Sequence, residues 1–258
     1  MNIISYDLRQ RAERIWKIAE VDFKKKYSND ILGLFWAVLN PIFRMAVYYF
    51  VLSKIMKVKE EDHAFIIFSG LIIWITFAEI SRTGMKILRS KYYLISTIQF
   101  DKLDLYISNA ITLFLNFLFY IFVYVVAALI YGIPFTWTVV YVPLIIIELF
   151  ILSIGVSFIL SIINLYLKDI QHLWSMILLF GFWTSGVFAR GEIFIEAFPP
   201  LQWLHPFIGI IGNFRKVMLF GETIDMGMLL YTYLYSLIIF MIGYVLFRKY
   251  SHLALEKI

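Results

Sequence analysis

The chain has 258 residues, of which 62% are hydrophobic and 16% are charged, and its formal net charge is +5. This composition excludes a soluble domain of such length and predicts an integral membrane protein. The absence of cysteine excludes disulfides and thiolate metal sites. A basic inner face against anionic lipid accounts for the positive charge, so no nucleic-acid partner is expected.

Residues 1–30 predict a helix that lies in the inner membrane interface and ends in a turn. At about 100° per residue, the apolar side chains fall in one stripe and the charged side chains face away. The stripe consists of Leu8, Ala12, Ile15, Trp16, Ala19 and Phe23. Trp16 suits headgroup depth, and the cations on the other face can snorkel to the same level. The segment lacks the short apolar core of a cleavable signal peptide.

Six apolar stretches follow, each long enough, or nearly so, for the roughly 20 residues that a helix needs to cross the hydrocarbon core. They are residues 32–56, 64–80, 105–130, 135–167, 173–189 and 228–247. Residues 192–212 are also apolar, but prolines and glycines interrupt them, so they predict a re-entrant outer hairpin before the last span. We therefore expect an all-α membrane protein with two parts, an interfacial helix and turn (1–30) and a six-helix transmembrane domain (31–258).

The orientation follows from lysine and arginine, which concentrate in cytoplasmic segments. With the N-terminus inside, the predicted inner segments hold 16 of these residues and the predicted outer segments hold six. Both termini are therefore expected in the cytoplasm.

The sequence has no recognisable soluble catalytic module. The four histidines are scattered, and there is no Gly-x-x-x-x-Gly-Lys-Ser/Thr loop to hold nucleotide phosphates. A membrane-embedded polyprenyl-phosphate glycosyltransferase would need carboxylates near the membrane surface to hold a metal and a diphosphate. Asp101 and Asp104 are the only close acidic pair on the second inner loop, and no Asp-Asp or Asp-x-Asp motif occurs, so the sequence gives such an enzyme little support. We expect no metal site and no enzymatic activity in this chain.

Four segments contain residues at the spacing of motifs that one protein family shares. The first is "YSNDILGLFWAVLNPI", where Asp30 replaces a usual serine and the matching residues are Tyr27, Leu32, Gly33, Trp36, Leu39 and Pro41. The second is "NLYLKDIQHLW", where Lys168 replaces arginine and the matches are Asn164, Asp169 and Ile170. The others are "LHPFIGIIGNFRKVMLFG" and, more weakly, "LISTIQFDKLDL". Together they resemble the permease subunits of ABC transporters that export polysaccharides, above all the O-antigen and teichoic-acid exporters.

The resemblance implies a multi-pass permease of the bacterial inner membrane that works as a homodimer. Two copies of a cytoplasmic ATP-binding subunit would join it and use ATP and Mg, while this chain would bind no cofactor. A lipid-linked polysaccharide of the O-antigen type would pass between the two permeases. Teichoic acid, capsule or another amphiphile, such as a drug or a simple lipid, stays open as the cargo.

The resemblance also places an entry hinge where the interfacial helix turns into the first span. The hinge residues are Tyr27, Asp30, Gly33 and Pro41, although an ordinary helix start explains them equally well. Two short polar and aromatic breaks between inner ends of spans are the expected docking surfaces for the ATP-binding subunit. They contain Tyr92, Phe100, Asp101 and Lys102 in the first, and Tyr166, Lys168 and Asp169 in the second.

Aromatic residues make up 19% of the chain, and sugar rings stack on aromatic faces. The expected pathway residues on the first and fifth predicted spans are Phe35, Trp36, Arg44, Tyr48, Tyr49, Phe180, Trp183 and Phe188. Lipid contact or helix packing explains any single one of these aromatics as well. Arg44 lies inside a span, where a charge is costly. It either contacts a diphosphate or hydroxyls or forms an ion pair with Glu79 or Glu148, and the ion pair is favoured.

Overall fold

The computed structural model of the chain describes residues 3–28, 33–58, 62–97, 100–189 and 191–253, and every regular element in these ranges is helical. The α-helices are α1 (Ile3–Tyr27), α2 (Phe35–Tyr49), α3 (His63–Ser90), α4 (Tyr92–Thr97), α5 (Leu103–Tyr131), α6 (Val142–Tyr166), α7 (Ile170–Thr184), α8 (Gly191–Ala197), α9 (Leu201–Leu204), α10 (Pro206–Met218) and α11 (Met226–Tyr250). A π-helical segment (Phe50–Ile55) continues α2, and short 3₁₀ segments (Trp137–Tyr141 and Ser251–Leu253) precede α6 and follow α11. The expected all-α class is confirmed.

Five helical segments within the described ranges are long and apolar enough to cross a membrane. They are Phe35–Ile55, His63–Ser90, Leu103–Tyr131, Trp137–Tyr166 and Met226–Tyr250. The sixth predicted span falls on α7, whose 15 residues rise only about 22 Å. This helix ends because the chain turns at Ser185 and Gly186, where Gly186 has a φ of +81° that disfavours a side chain. A total of six spans stays a prediction.

Helix α3 forms the centre of the bundle. Its most apolar 18-residue window is 89% buried, and it packs against α2, α5, α6, α7 and α10. Residues 64–78 are apolar on almost every side, as in a helix surrounded by protein. Ile66, Ile67, Phe68, Leu71 and Ile72 are almost completely buried in the core. The candidate functional side chains lie on this helix and on the helices that pack against it.

Helices α6 and α11 form the most extensive helix pair in the bundle. Glycine permits the two backbones to approach, because a Cβ atom on Gly155 would lie only 2.6 Å from the Cα atom of Phe240. Small residues serve this purpose in membrane helix pairs, where close van der Waals packing stabilises association. The pair fixes the last span against the centre of the molecule.

Helix α2 and its π-helical extension are, by contrast, nearly uncovered. Only 11% of this segment is buried by the rest of the described chain, and Phe43, Val47, Phe50 and Ile55 project outward. Helix α7 presents a similar apolar face, with Met176, Leu179 and Phe180 exposed. Both faces are therefore available to lipid or to another protein.

Candidate functional site

The expected hinge lies where α1 ends beside α3 and α5. The hydroxyl of Tyr27 donates a hydrogen bond to Oδ1 of Asn116 on α5 at 2.7 Å, and Lys26 forms an ion pair with Glu79 on α3 at 3.2 Å. Burial, with a smaller contribution from the charge of Glu79, raises the pKa of Tyr27 to about 12. The end of the interfacial helix is thus fastened to two spans.

The remaining hinge residues lie around the start of α2. Gly33 has a φ of +44°, a conformation that suits glycine, and its carbonyl accepts a hydrogen bond from the backbone N–H of Trp36. Pro41 is buried within the helix. Asp30 lies outside the described residues. The turn at Gly33 therefore sets the direction in which the first span departs.

The structure brings part of the predicted aromatic pathway together between α2 and α7. The ring of Tyr48 lies 5.5 Å from that of Phe182 and 5.0 Å from that of Phe188, and Trp183 lies 4.6 Å from Phe188. Phe188 itself is only 7% exposed and belongs to the core. Tyr48 and Trp183 therefore pack against buried aromatic rings.

The other predicted pathway aromatics are spread along the uncovered faces. Phe35 and Trp36 are exposed at the start of α2, and Phe180 is 71% exposed on α7. Tyr49 is half-buried and packs against the core. Within one copy of the chain, these side chains do not form a closed channel wall. Their role in transport stays a prediction.

Arg44 lines a cavity of about 370 Å³ between α2, α3 and α7 that also contains Glu79 and Arg82. The favoured ion pair of Arg44 is wrong, because Glu79 pairs with Lys26 instead and Arg44 has no ion pair in the part of the chain that the structure describes. Glu148 is fully buried on α6, close to Thr232 of α11. Lys26 forms the ion pair with Glu79 because the end of α1 lies beside α3.

In the first predicted docking surface, some side chains are exposed and others contact neighbouring parts of the chain. Tyr92 is exposed at the start of α4, whereas Phe100 lies under the guanidinium group of Arg14 at 5.5 Å. Lys102 donates a hydrogen bond to the carbonyl of Ser251 at 2.6 Å, and burial lowers the pKa of its amine. Phe100 and Lys102 therefore make contacts within the chain.

Asp101 also makes contacts within the chain. Its carboxylate lies 3.4 Å from Arg11 on α1 and 3.6 Å from Arg248 near the end of α11. It also accepts a hydrogen bond from the backbone N–H of Leu103 at 3.1 Å, which satisfies a free donor at the start of α5. A substitution here would disturb three helices as well as any docking.

The second predicted docking surface is exposed. Tyr166, Lys168 and Asp169 project from the connection between α6 and α7. Asn164 supports this connection, since its side-chain amide donates to the carbonyl of Met85 at 3.1 Å and its backbone carbonyl accepts from Arg89 at 3.1 Å. The exposed side chains therefore project from a connection that hydrogen bonds hold in place.

One polar cluster was not foreseen from the sequence. Asp104, at the first turn of α5, is fully buried and forms ion pairs with Arg11 at 2.7 Å and Arg14 at 2.6 Å. The spacing of three residues places Arg11 and Arg14 on one side of α1, and this spacing was the available signal. Because two guanidinium groups neutralise Asp104, the Asp101–Asp104 pair does not offer a free metal site. Among the described residues, no three His, Asp or Glu side chains are grouped to hold a metal.

A second unforeseen feature is a buried arginine, Arg215, on α10. Its guanidinium donates to Oγ of Ser69 and to three backbone carbonyls, those of Ile66, Val187 and Ala189, at 2.7 to 3.1 Å. The sequence pattern predicted an outer cation at this position. The arginine instead joins α3 and α10 to the segment that follows α7. It lies in the segment "LHPFIGIIGNFRKVMLFG", whose family resemblance was the available signal.

The described residues form a helical membrane bundle whose α2 and α7 faces are apolar and uncovered. The family profile described as ABC-2 type transporter matches residues 13–219, and the chain therefore belongs to this family of ABC transporter permeases. An O-antigen export system permease protein RfbA from Klebsiella pneumoniae is 25% identical over 250 residues, which cover 96% of each chain. A second protein of that name and organism is 22% identical over 253 residues, again 96% of each.

A third relative extends the comparison to a different organism. An O-antigen export system permease protein RfbA from Myxococcus xanthus is 25% identical over 213 residues, which cover 82% of each chain. The similarity to these permeases agrees with the expected location of the chain in the bacterial inner membrane.

Proposed function

We propose that the chain is the transmembrane subunit of an ATP-driven ABC exporter that moves a lipid-linked polysaccharide of the O-antigen type across the bacterial inner membrane. The observation that carries this proposal is the similarity to O-antigen export permeases over 96% of both chains, which leaves no large part of either without a counterpart. Hydrolysis of ATP takes place in a separate cytoplasmic subunit. This chain contributes the passage and the surfaces that hold the partner.

The topology that we propose has six spans, with α7 as the fifth, and both termini in the cytoplasm. The excess of lysine and arginine in the predicted inner segments supports this orientation. Residues 192–212 form the re-entrant outer hairpin; the short helices α8 and α9, separated by Pro199 and Pro200, support it. Apolar side chains that neither pack inside the bundle nor form a regular span are then accommodated by the outer leaflet.

Two copies of the chain form the passage. The uncovered faces of α2 and α7 support this arrangement, because they place Trp36, Phe180 and Trp183 on the outside of one copy, where a second copy can face them. Two-fold contacts are the commonest closed assembly of identical chains. Stacking on aromatic faces is tolerant of sugar identity, and weak repeated contacts permit a polymer to slide.

The test is reconstitution of transport. The chain is co-expressed with its candidate ATP-binding subunit, purified, and placed in proteoliposomes that contain lipid-linked glycan on the outer leaflet next to the ATP-binding subunits. We expect glycan to reach the lumen only when both subunits and hydrolysable ATP are present. Transfer of sugar to polyprenyl phosphate by the chain alone would instead identify a glycosyltransferase. ATP-dependent movement of a simple lipid but not of the glycan would assign a different cargo.

A further inference from the structure

Three neighbouring cavities share the side chain of Glu79 and surround the junction of α1, α2 and α3. The first, of about 370 Å³, is lined by Arg44, Glu79 and Arg82, and the second, also of about 370 Å³, by Lys26 and Glu79. The third, of about 520 Å³, is lined by Lys25, Lys26, Glu79 and Arg82. We call these three spaces the basic cavities.

The charges that line the basic cavities do not balance. Five cations and two carboxylates line them: Lys25, Lys26, Arg44, Arg82, Lys91, Asp22 and Glu79. Lys26 pairs with Glu79, and Lys91 pairs with Asp22. Lys25, Arg44 and Arg82 are left without an ion pair in the part of the chain that the structure describes. The cavities therefore carry an excess of positive charge that suits an anion of two or more charges.

The depth of Arg44 in its span indicates a functional role for its charge, and Arg82 lies nearer the inner membrane surface. Arg44 lies about 13 Å beyond the first residue of α2, and Arg82 lies about 12 Å before the last residue of α3, at 1.5 Å per residue. Arg44 lies within a segment long and apolar enough to span the membrane, whereas Arg82 lies just beyond the apolar stretch 64–80, at the expected inner end of α3. A charged side chain inside the membrane is costly and marks a path for an ion or a polar substrate.

The walls of the first cavity strengthen any contact with an anion. Tyr48, Trp74 and Phe182 line it together with the two arginines. Both arginines are exposed in a single copy of the chain. An anion held against the aromatic rings would have less water on that side, and its interaction with the arginines would be stronger there. A guanidinium group presents two parallel N–H donors to phosphate oxygens, which a lysine does not.

We propose that the basic cavities bind the diphosphate group of a lipid carrier, with Arg44 and Arg82 as its principal ligands. This inference rests on the proposed export of a lipid-linked glycan, and it identifies where the charged end of that substrate is held. Lys25 and Lys26 lie at the end of α1 and meet the diphosphate as it leaves the headgroup layer. The two arginines then hold it between α2 and α3, next to the aromatic rings that receive the sugars.

The test measures binding of polyprenyl diphosphate to the purified chain by native mass spectrometry. Arg44→Gln and Arg82→Gln each remove one charge, and we expect each to weaken binding about tenfold. Lys86→Gln is the matched control, since Lys86 is an exposed cation on α3 that lines none of the basic cavities. Its affinity should stay within about twofold of wild type. Arg44→Lys and Arg82→Lys keep the charge and replace the glutamine variants in the test if those do not fold. Each should still bind more weakly than wild type, because lysine lacks the two parallel donors.

Competition separates a diphosphate site from a general anionic-lipid surface. Inorganic pyrophosphate should displace the lipid from the wild-type chain, and phosphatidylglycerol at the same concentration should not. Displacement by phosphatidylglycerol, or wild-type affinity in the Arg44→Gln/Arg82→Gln double variant, would overturn the assignment.

Glycan export in cells distinguishes failure of this site from failure of the proposed function. If removal of the chain abolishes export but the double variant exports at the wild-type rate, the exporter function stands and the diphosphate site is wrong. If removal of the chain leaves export unchanged, the proposed function is wrong. Loss of export in the double variant, with normal export in Lys86→Gln at equal protein levels, supports both.

Discussion

The hydroxyl of Tyr27 donates a hydrogen bond to Oδ1 of Asn116 at 2.7 Å, and both side chains are buried. This contact joins the last residue of the amphipathic helix to the middle of α5. Burial and the charge of Glu79 raise the pKa of Tyr27 to about 12, so the hydroxyl remains a donor throughout the physiological pH range. Its raised pKa contributes stability that is fully present below about pH 10 and is lost as the pH rises through 12.

Tyr27→Phe should lower the free energy of unfolding by about 1 to 2 kcal/mol, because it leaves a buried amide oxygen without its donor. The aromatic contact with Phe23, at 5.3 Å between ring centres, is retained in this variant. Unfolding can be followed in detergent by tryptophan fluorescence. A double-mutant cycle with Asn116→Ala is the control, and additive effects of the two substitutions would show that the hydrogen bond contributes nothing.

Asp104→Asn should release the N-terminal helix from α5. The substitution removes the buried partner of Arg11 and Arg14, and loss of one member of a buried ion pair typically costs about 3 to 5 kcal/mol. Because the two arginines are each more than one-third exposed, we expect about 2 kcal/mol. Hydrogen exchange of α1 should accelerate, since fewer contacts hold it against the bundle.

The matched control for this variant is Glu13→Gln. Glu13 pairs with Arg9 on the exposed side of the same helix, at 2.9 Å. Exposed pairs of this kind contribute little, because water and salt screen them. Equal exchange rates of α1 in the two variants would show that Asp104 does not anchor the helix.

Charge reversal at Lys168 or Asp169 should reduce assembly with the ATP-binding subunit without a change in thermal stability. Both side chains are exposed, and their substitution breaks no ion pair in the described structure. Assembly can be measured by co-purification and by stimulation of ATP hydrolysis. Asp101→Lys is the comparison: it should also lower stability, because Asp101 contacts Arg11 and Arg248. Normal assembly of the Lys168 and Asp169 variants would exclude this surface as the docking site.

Cysteine scanning should place the outer hairpin in the membrane, and the parent chain has no cysteine to interfere. Phe198, Trp203 and Leu204 are exposed on a single copy of the chain, so insertion in the outer leaflet should protect them from an impermeant thiol reagent. We expect Cys at these three positions to react slowly in intact cells. Cys at the exposed Glu222, in the connection before α11, should react quickly. Equal rates at all four positions would indicate a solvated loop.

The fold was largely predictable because hydrophobicity and helical periodicity are local properties. The spans containing α3, α5 and α11 are continuous apolar stretches, and each forms one helix. Partner choice was not predictable in the same way. Glu79 pairs with Lys26 rather than Arg44 because the chain brings α1 beside α3, a long-range arrangement that residue spacing does not encode. The early end of α7 at Thr184 follows from the Ser185–Gly186 turn, whose glycine was a signal within an otherwise apolar stretch.

The proposed passage between two copies predicts that Trp36→Ala together with Trp183→Ala impairs glycan export more than folding. The two residues are only partly exposed, at 43% and 51%, so their removal should also lower the free energy of unfolding, by roughly 2 to 3 kcal/mol, and export must be compared at equal protein level. In the passage, each dimer loses four stacking surfaces, and stacking on aromatic rings holds the apolar faces of sugars.

Tyr48→Phe is the matched control for this double variant. It keeps the ring, including its contacts with Phe182 and Phe188 at 5.5 and 5.0 Å, and removes only a hydroxyl. We expect a smaller loss of export than in the double variant, because the stacking face survives. Export is measured as the rate of appearance of glycan at the cell surface at equal protein level and equal dimer yield. Wild-type export in the Trp36→Ala/Trp183→Ala variant would assign these two rings to lipid contact and helix packing, because a sliding polymer that stacks on them cannot be indifferent to their loss.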